Sequence, residues 1–290
     1  MSTKAMKIDG RWFHLALVTA LWLAIACVLL TAIGFSWNPT PFAHVLALIF
    51  VACALIHALF FYDSRSALAL FIICIAITFT VENIGVATGF PFGHYHFAID
   101  AGLPRVGSIP VIVGPLWFGA RYFSWVVASV LLDGADRRLD RPIEFVALPV
   151  VAAFVMTQWD LVMDRSESTI AKVWIWHDGG ADFGVPLSNY FGWLLTSWFF
   201  FAVFALYLRR RSPPSAKQSR MLQLIAILFY ISAGLTHMVP WTIGQSGEIS
   251  DATGKTWEIH SLRETTVAVM LFTMFFSALL AAVHLVKQKR

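Results

Sequence analysis

The stretch Glu82-Asn-Ile-Gly-Val-Ala-Thr-Gly-Phe-Pro-Phe-Gly-His-Tyr-His-Phe97 places a carboxyl and an amide inside an apolar run. It then breaks, on Gly89, Pro91 and Gly93, into a loop rich in aromatic side chains and histidine. An ionisable group within hydrocarbon is costly, so one that is kept marks either a functional site or a structural pair between helices. Asp160 and Asp164, in another apolar run, stand four residues apart and therefore share one helical face, with Thr157 and Gln158 beside them. His237 and Arg121 are further ionisable groups inside long apolar runs. Two carboxyls at one level suit acid–base work, one delivering a proton and the other accepting one or stabilising a cation. The alternative is a charge-compensated cluster in which Arg121 pairs with Glu82 and His237 bonds a carbonyl.

Composition says what must hold these groups. Of 290 residues, 58% are hydrophobic and 13% are charged, which excludes a soluble domain and points to an all-α, polytopic integral membrane bundle. Runs of roughly 20 residues, enough to cross a bilayer as helices, occur at 13–35, 42–62, 67–88, 109–132, 143–163, 187–208, 221–243 and 264–286. That makes eight spans in a single transmembrane domain over 1–290, the first read as a retained span because no small-residue cleavage pattern follows it. At 1.5 Å per residue, Glu82 lies about 8–10 Å from the end of its span, and Asp160 and His237 fall at a similar depth.

Lys4, Lys7, Arg11, Arg65, Arg137, Arg138, Arg141, Arg209–Arg211, Lys217, Arg220, Lys287, Lys289 and Arg290 lie in the termini and in alternate loops, and make up most of the 21 basic residues. The positive-inside rule then places both termini in the cytoplasm. The loops 89–108, 164–186 and 244–263 share the opposite side, and the candidate site faces them. The expected location is a bacterial cytoplasmic (inner) membrane.

Loop 164–193 carries Trp174-Ile-Trp176, Phe183-Gly-Val-Pro186 and Asn189-Tyr-Phe-Gly192-Trp193. Trp174 and Trp176 suit either an apolar groove or the membrane interface. Asn189, in the first turn of a span, suits either orientation of water and a carboxyl or capping of the helix. Asn83, Tyr95 and His94 are further candidates for positioning water or substrate.

Other chemistries find little support. No Gly-x-Gly-x-x-Gly opens a helix, the histidines lack the repeated spacings of a di-iron oxygenase, and Cys27, Cys53 and Cys74 stand apart within apolar runs. No metal site or cofactor is expected, and the dispersed basic residues do not form a nucleic-acid face. Asp160-x-x-x-Asp164 alone could form half of a Mg²⁺-diphosphate site.

Glu82-x-x-Gly85-x-x-x-Gly89-x-Pro91-Phe92-Gly93-x-Tyr95, with Asp160-x-x-x-Asp164, Trp174-x-Trp176 and Phe183-Gly-Val-Pro186-x-x-Asn189-x-x-Gly192-Trp193, resembles the integral-membrane carotenoid biosynthesis protein family. The matching segments lie between about 80 and 195. The resemblance implies a hydratase that adds water, without a cofactor, across a terminal C1,C2 double bond of an acyclic or monocyclic carotenoid. On it, Glu82, Asp160 and Asp164 are the catalytic carboxyls, acid and base interchangeable. Asn83, His94, Tyr95, Arg121, Trp174, Trp176, Asn189 and His237 position water, carboxyls and the polyene end. Partners would be the carotenoid, membrane lipid and other enzymes of that pathway. A noncatalytic carotenoid or lipid binder and a Mg²⁺-dependent intramembrane prenyltransferase are the alternatives.

Overall fold

The computed structural model describes residues 39–99, 102, 104–211 and 219–287, together with residues 15, 19 and 26; of 39–47 it describes the backbone alone. The expected span 13–35 lies almost wholly outside these residues, as do Pro213 and Pro214. The described helices are α1 (Pro39–Phe61), α2 (Ser64–Thr88), α3 (Val113–Leu131), α4 (Pro142–Asp164), α5 (Leu187–Arg209), α6 (Arg220–Leu235), α7 (Met238–Ile243), α8 (Ile259–Met270) and α9 (Phe276–Lys287). Among the described residues, five stretches are long and apolar enough to cross a membrane: Ser64–Thr88, Pro142–Ile170, Leu187–Arg209, Arg220–Ile243 and Ile259–Lys287.

Helix α3 is the centre of the bundle. It packs against α1, α2, α4, α6 and α9, and it is buried almost all round, from Trp117 through Val130. A helix enclosed by protein need not be as apolar as one facing lipid, so Arg121, Tyr122 and two serines are tolerated there. The outward faces of its neighbours instead expose large apolar side chains such as Ile72, Phe154, Leu195 and Phe272.

Helix boundaries follow local chemistry. Asp63 caps α2, accepting from the Ser66 N–H at 2.9 Å and the Ser66 hydroxyl at 2.9 Å. The helix ends where Gly89 turns left-handed, at φ 78°, and returns its N–H to the Gly85 carbonyl. The expected loop after Asp164 begins later than the sequence predicts, because α4 continues as a wide π-turn over Arg165–Ile170. Polar residues there find partners on the loop that follows: Arg165 reaches Asp182, and the Thr169 hydroxyl reaches the Phe183 carbonyl. The expected span 221–243 is broken at Thr236–His237 into α6 and α7.

The three long loops meet over one end of the bundle, as alternating spans require. Strand β1 (Tyr95–Phe97) pairs antiparallel with β4 (Trp174–Trp176), setting Tyr95 opposite Trp176. Two hairpins, β2–β3 (Arg105–Val106, Ile109–Pro110) and β5–β6 (Glu248–Ser250, Thr256–Glu258), complete this cap. Phe183 packs on Trp257 at 5.2 Å, and Lys172 reaches the Ser250 carbonyl at 3.3 Å. The cap is a small β addition to the all-α reading. The connecting residues described at 62–63, 132–141 and 210–211 lie at the other end, where His284 meets Asp133 at 2.6 Å and Arg211 meets Asp63 at 3.5 Å.

Candidate functional site

Beneath the cap, four helices each contribute a stripe of buried residues four apart. These are Cys74, Thr78 and Glu82 on α2; Trp117 and Arg121 on α3; Asp160 and Asp164 on α4; and Asn189, Trp193 and Ser197 on α5. Spacing by four keeps each set on one helical face, and the stripes face one another. Within them the structure gathers Glu82, Asp160, Asp164, Arg121 and Asn189.

Glu82 accepts a hydrogen bond from the Tyr95 hydroxyl, and Trp117 lies beside the same carboxyl. Burial and the neighbouring Glu82 push the Tyr95 phenol well above its ordinary value, so Tyr95 is a neutral donor. Tyr95 is itself fixed by Trp176, 4.7 Å away, and by Phe92 and Phe97 edge-on. The motif glycines explain how the loop enters the bundle: a Cβ at Gly85 would lie 2.7 Å from Phe92 Cδ2, and one at Gly192 would lie 2.6 Å from Phe92 Cδ1. The Phe92 ring is thus wedged between α2 and α5 at positions where only glycine leaves room. It stacks on Trp193 at 4.7 Å, and Trp193 stacks on Trp117 at 3.8 Å.

Among the described residues Arg121 makes no ion pair, so the alternative reading in which it pairs with Glu82 is not the arrangement seen. Its Nη1 donates to the Thr78 hydroxyl and to Cys74 Sγ, and its guanidinium lies 5.3–5.4 Å from the rings of Trp117, Trp193 and Phe200. Nε and Nη2 remain without a hydrogen-bond partner. The aromatic faces compensate the cation where a carboxylate does not.

Asp160 has no exposed surface, and neither carboxyl oxygen accepts a hydrogen bond. The charged groups within electrostatic reach of it are Asp164, Arg121 and Glu82. Asp164, one turn further on, accepts from the Asn189 side-chain amide. Asn189 therefore orients a carboxyl and is not a helix cap, and its own side-chain carbonyl oxygen lacks a donor.

A second layer, absent from the sequence reading, holds this arrangement. Arg165, 3% exposed, grips Asp182 with two bonds, at 3.1 Å and 2.7 Å, and the Tyr190 hydroxyl donates to the same carboxylate at 2.5 Å. Arg165 directly follows Asp164 and Tyr190 directly follows Asn189, so one clamp ties both partners of that bond to the 180–186 loop. The spacing-by-four stripes were available in the sequence and would have named Thr78, Trp117 and Trp193. The Arg165 clamp had no such signal, since its acid lies 17 residues away across a turn.

The remaining candidates take varied positions. The Asn83 amide is consumed by the Phe79 carbonyl at 2.7 Å and by the β2–β3 hairpin through the Val106 carbonyl and the Ser108 N–H, so it braces the cap and is not turned to the carboxyls. His94 is exposed and meets Asp178 at 2.9 Å on the cap surface. Trp174 is half-buried against Phe97, while Trp176 is buried. His237 lies at the α6–α7 break within electrostatic reach of Arg165. Among the described residues, no three His, Cys, Asp or Glu side chains converge as a metal ligand set.

The carotenoid biosynthesis protein family matches residues 41–250, a stretch that contains every buried carboxyl of this site. Bisanhydrobacterioruberin hydratase of Haloarcula japonica is 28% identical over 134 residues, which are 46% of this chain and 43% of that protein. The match thus spans less than half the length of that relative. No solved structure matches. With most of its length matched, and with the site inside the matched region, the chain belongs to the carotenoid biosynthesis protein family.

Proposed function

We propose that this protein hydrates a terminal C1,C2 double bond of an acyclic or monocyclic carotenoid. The observation that carries the reading is Asp160, a fully buried carboxyl to which no other side chain among the described residues donates, held among Glu82, Asp164 and Arg121. With no side-chain donor among the described residues to stabilise negative charge on it, Asp160 is the acid; Glu82, which accepts from Tyr95, is the base. The Asp160 proton adds to C2 and the alkene electrons form that C–H bond, leaving a tertiary cation at C1. A water oxygen bonds to C1 and gives its extra proton to Glu82. Return of that proton to Asp160 closes the cycle, and the net change is addition of one water.

The aromatic faces of Trp117, Trp193, Trp176 and Phe92 favour the cationic stage. Arg121 balances the carboxylate that proton transfer leaves behind, and Asn189 fixes Asp164 as a further partner. Chemistry of this kind calls for no electron transfer. The apolar runs support eight spans in a single inner-membrane domain, and the distribution of basic residues supports cytoplasmic termini with the cap on the other side.

The test is pigment analysis by mass spectrometry in a lycopene-producing bacterial host with and without this chain, with a chelator added in a parallel arm. The expected result is a product heavier by one water, indifferent to chelator and missing with Asp160→Asn. Pigment that co-purifies chemically unchanged with the protein would instead establish a binder, and loss of product with chelator would favour a metal-dependent transferase.

A further inference from the structure

At the end of the bundle away from the cap, α2 and α5 leave a groove with a cavity volume of about 540 Å³. Its mouth is formed by Arg65 at the start of α2 and by Arg210 and Arg211 just beyond the end of α5; its walls are Ile73, Val203 and Leu206. Ile73 lies eight residues into α2 from Arg65, so the groove runs about 12 Å along the helices from a basic mouth to an apolar interior. Both helices belong to the stretches able to cross a membrane. Arg211 is preset: it donates to the Tyr207 hydroxyl at 2.7 Å, and its guanidinium lies 5.6 Å from the Tyr207 ring.

The local acid does not cancel these cations. Asp63 stands 3.5 Å from Arg211, but it is spent on capping α2, and hydrogen bonds from Ser66, working against partial burial and aided by Arg211, hold its carboxyl below the usual range. Among the described residues one carboxylate faces three guanidiniums, and nothing in the proposed hydration uses any of them.

We propose that this groove binds an anionic phospholipid, its phosphate held by Arg65, Arg210 and Arg211 and the first part of one acyl chain laid along Ile73, Val203 and Leu206. The charge sign selects a phosphate, and the apolar continuation within a membrane-spanning surface selects a lipid over a free ion. Guanidiniums suit the ligand because they hold phosphate oxygens through paired N–H donors. A basic pocket between spanning helices is the form such headgroup sites take.

Native mass spectrometry of the full-length protein in detergent, with added phosphatidylglycerol or with phosphatidylcholine of the same chains, tests the site. Phosphatidylglycerol should be retained in preference, and the double substitution Arg65→Gln/Arg210→Gln should reduce that retention about tenfold while Arg141→Gln, at the same end, leaves it unchanged. Equal retention of the two lipids would overturn the proposal, and equal loss with Arg141→Gln would reduce it to diffuse charge. Displacement of the lipid by millimolar inorganic phosphate alone would show an ion site. A thermal unfolding scan of each variant without lipid separates loss of binding from loss of fold.

Discussion

Asp136 and Asp160 are both buried aspartates, 5% and 0% exposed, at opposite ends of the same bundle. Around Asp136 the polar groups close on one another. Tyr62 donates to one carboxyl oxygen at 2.7 Å and Ser129 to the other at 2.6 Å, while Trp125 donates to the Tyr62 hydroxyl at 2.8 Å. Around Asp160 they do not: among the described residues, both its oxygens, two nitrogens of Arg121 and the side-chain oxygen of Asn189 lack hydrogen-bond partners. Burial alone therefore does not mark a working acid. A satisfied carboxylate joins helices, whereas an unsatisfied one keeps its proton chemistry available at a cost in stability.

Swapping the acids for neutral isosteres is the strongest way to break this contrast. Asp160→Asn should lower the hydration rate by about 10²-fold or more, as removal of a general acid does, whereas Asp136→Asn should leave the rate per folded molecule unchanged. Stability should move in opposite directions. Asp160→Leu removes an unpaired buried polar group and should raise the melting temperature by about 2–4 °C, whereas Asp136→Leu should lower it by at least as much. Product formation and thermal unfolding in detergent check both, and a fall in melting temperature for Asp160→Leu would show that Asp160 has partners that matter.

Smaller changes sharpen the comparison. Tyr95→Phe removes the hydroxyl that holds Glu82 and should slow turnover about tenfold, the equivalent of roughly 1.4 kcal/mol, with little change in product identity. Gly192→Ala should force Phe92 from its wedge and cost about 1–3 kcal/mol, read as a lower melting temperature together with altered fluorescence of the Trp117–Trp193 pair.

The mildest effect concerns the cap. Despite slight burial, bonds from the Thr253 hydroxyl and N–H, the Trp257 indole and the Lys255 N–H hold Asp251 below its ordinary range. A carboxyl depressed in the folded state stabilises the fold above its unfolded value of about 3.8, and that contribution is lost as pH falls through the lower folded value. Amide exchange across 251–257 should therefore quicken selectively under acid, while the rest of the bundle changes less.

Much of this was legible in the residue order. Apolar runs reported helices, because a chain in hydrocarbon must satisfy its backbone internally, and the boundaries of α2 and α5 fall within a few residues of those expected. Glu82, Asp160 and Asp164 were conspicuous because charge is rare in such runs. His94 and Asn83 stand apart from the carboxyl cluster for a shared reason. Both lie near Glu82 in the chain, but helical rotation turns Asn83 to the hairpin, and the loop carries His94 to the surface.

By itself the sequence determined where helices run, which groups are ionisable at depth, and, through Gly85, Gly89 and Gly192, where the loop must enter the bundle. Which carboxyl is satisfied was decided only by the tertiary structure. Hydrogen-bond partners come from other helices and loops: Tyr62 for Asp136, Tyr95 for Glu82 and Asn189 for Asp164. For Asp160, packing brings none. A donor's reach is a few ångströms in space with no set distance along the chain, so a buried carboxyl left without a donor becomes visible only when its neighbours are in place.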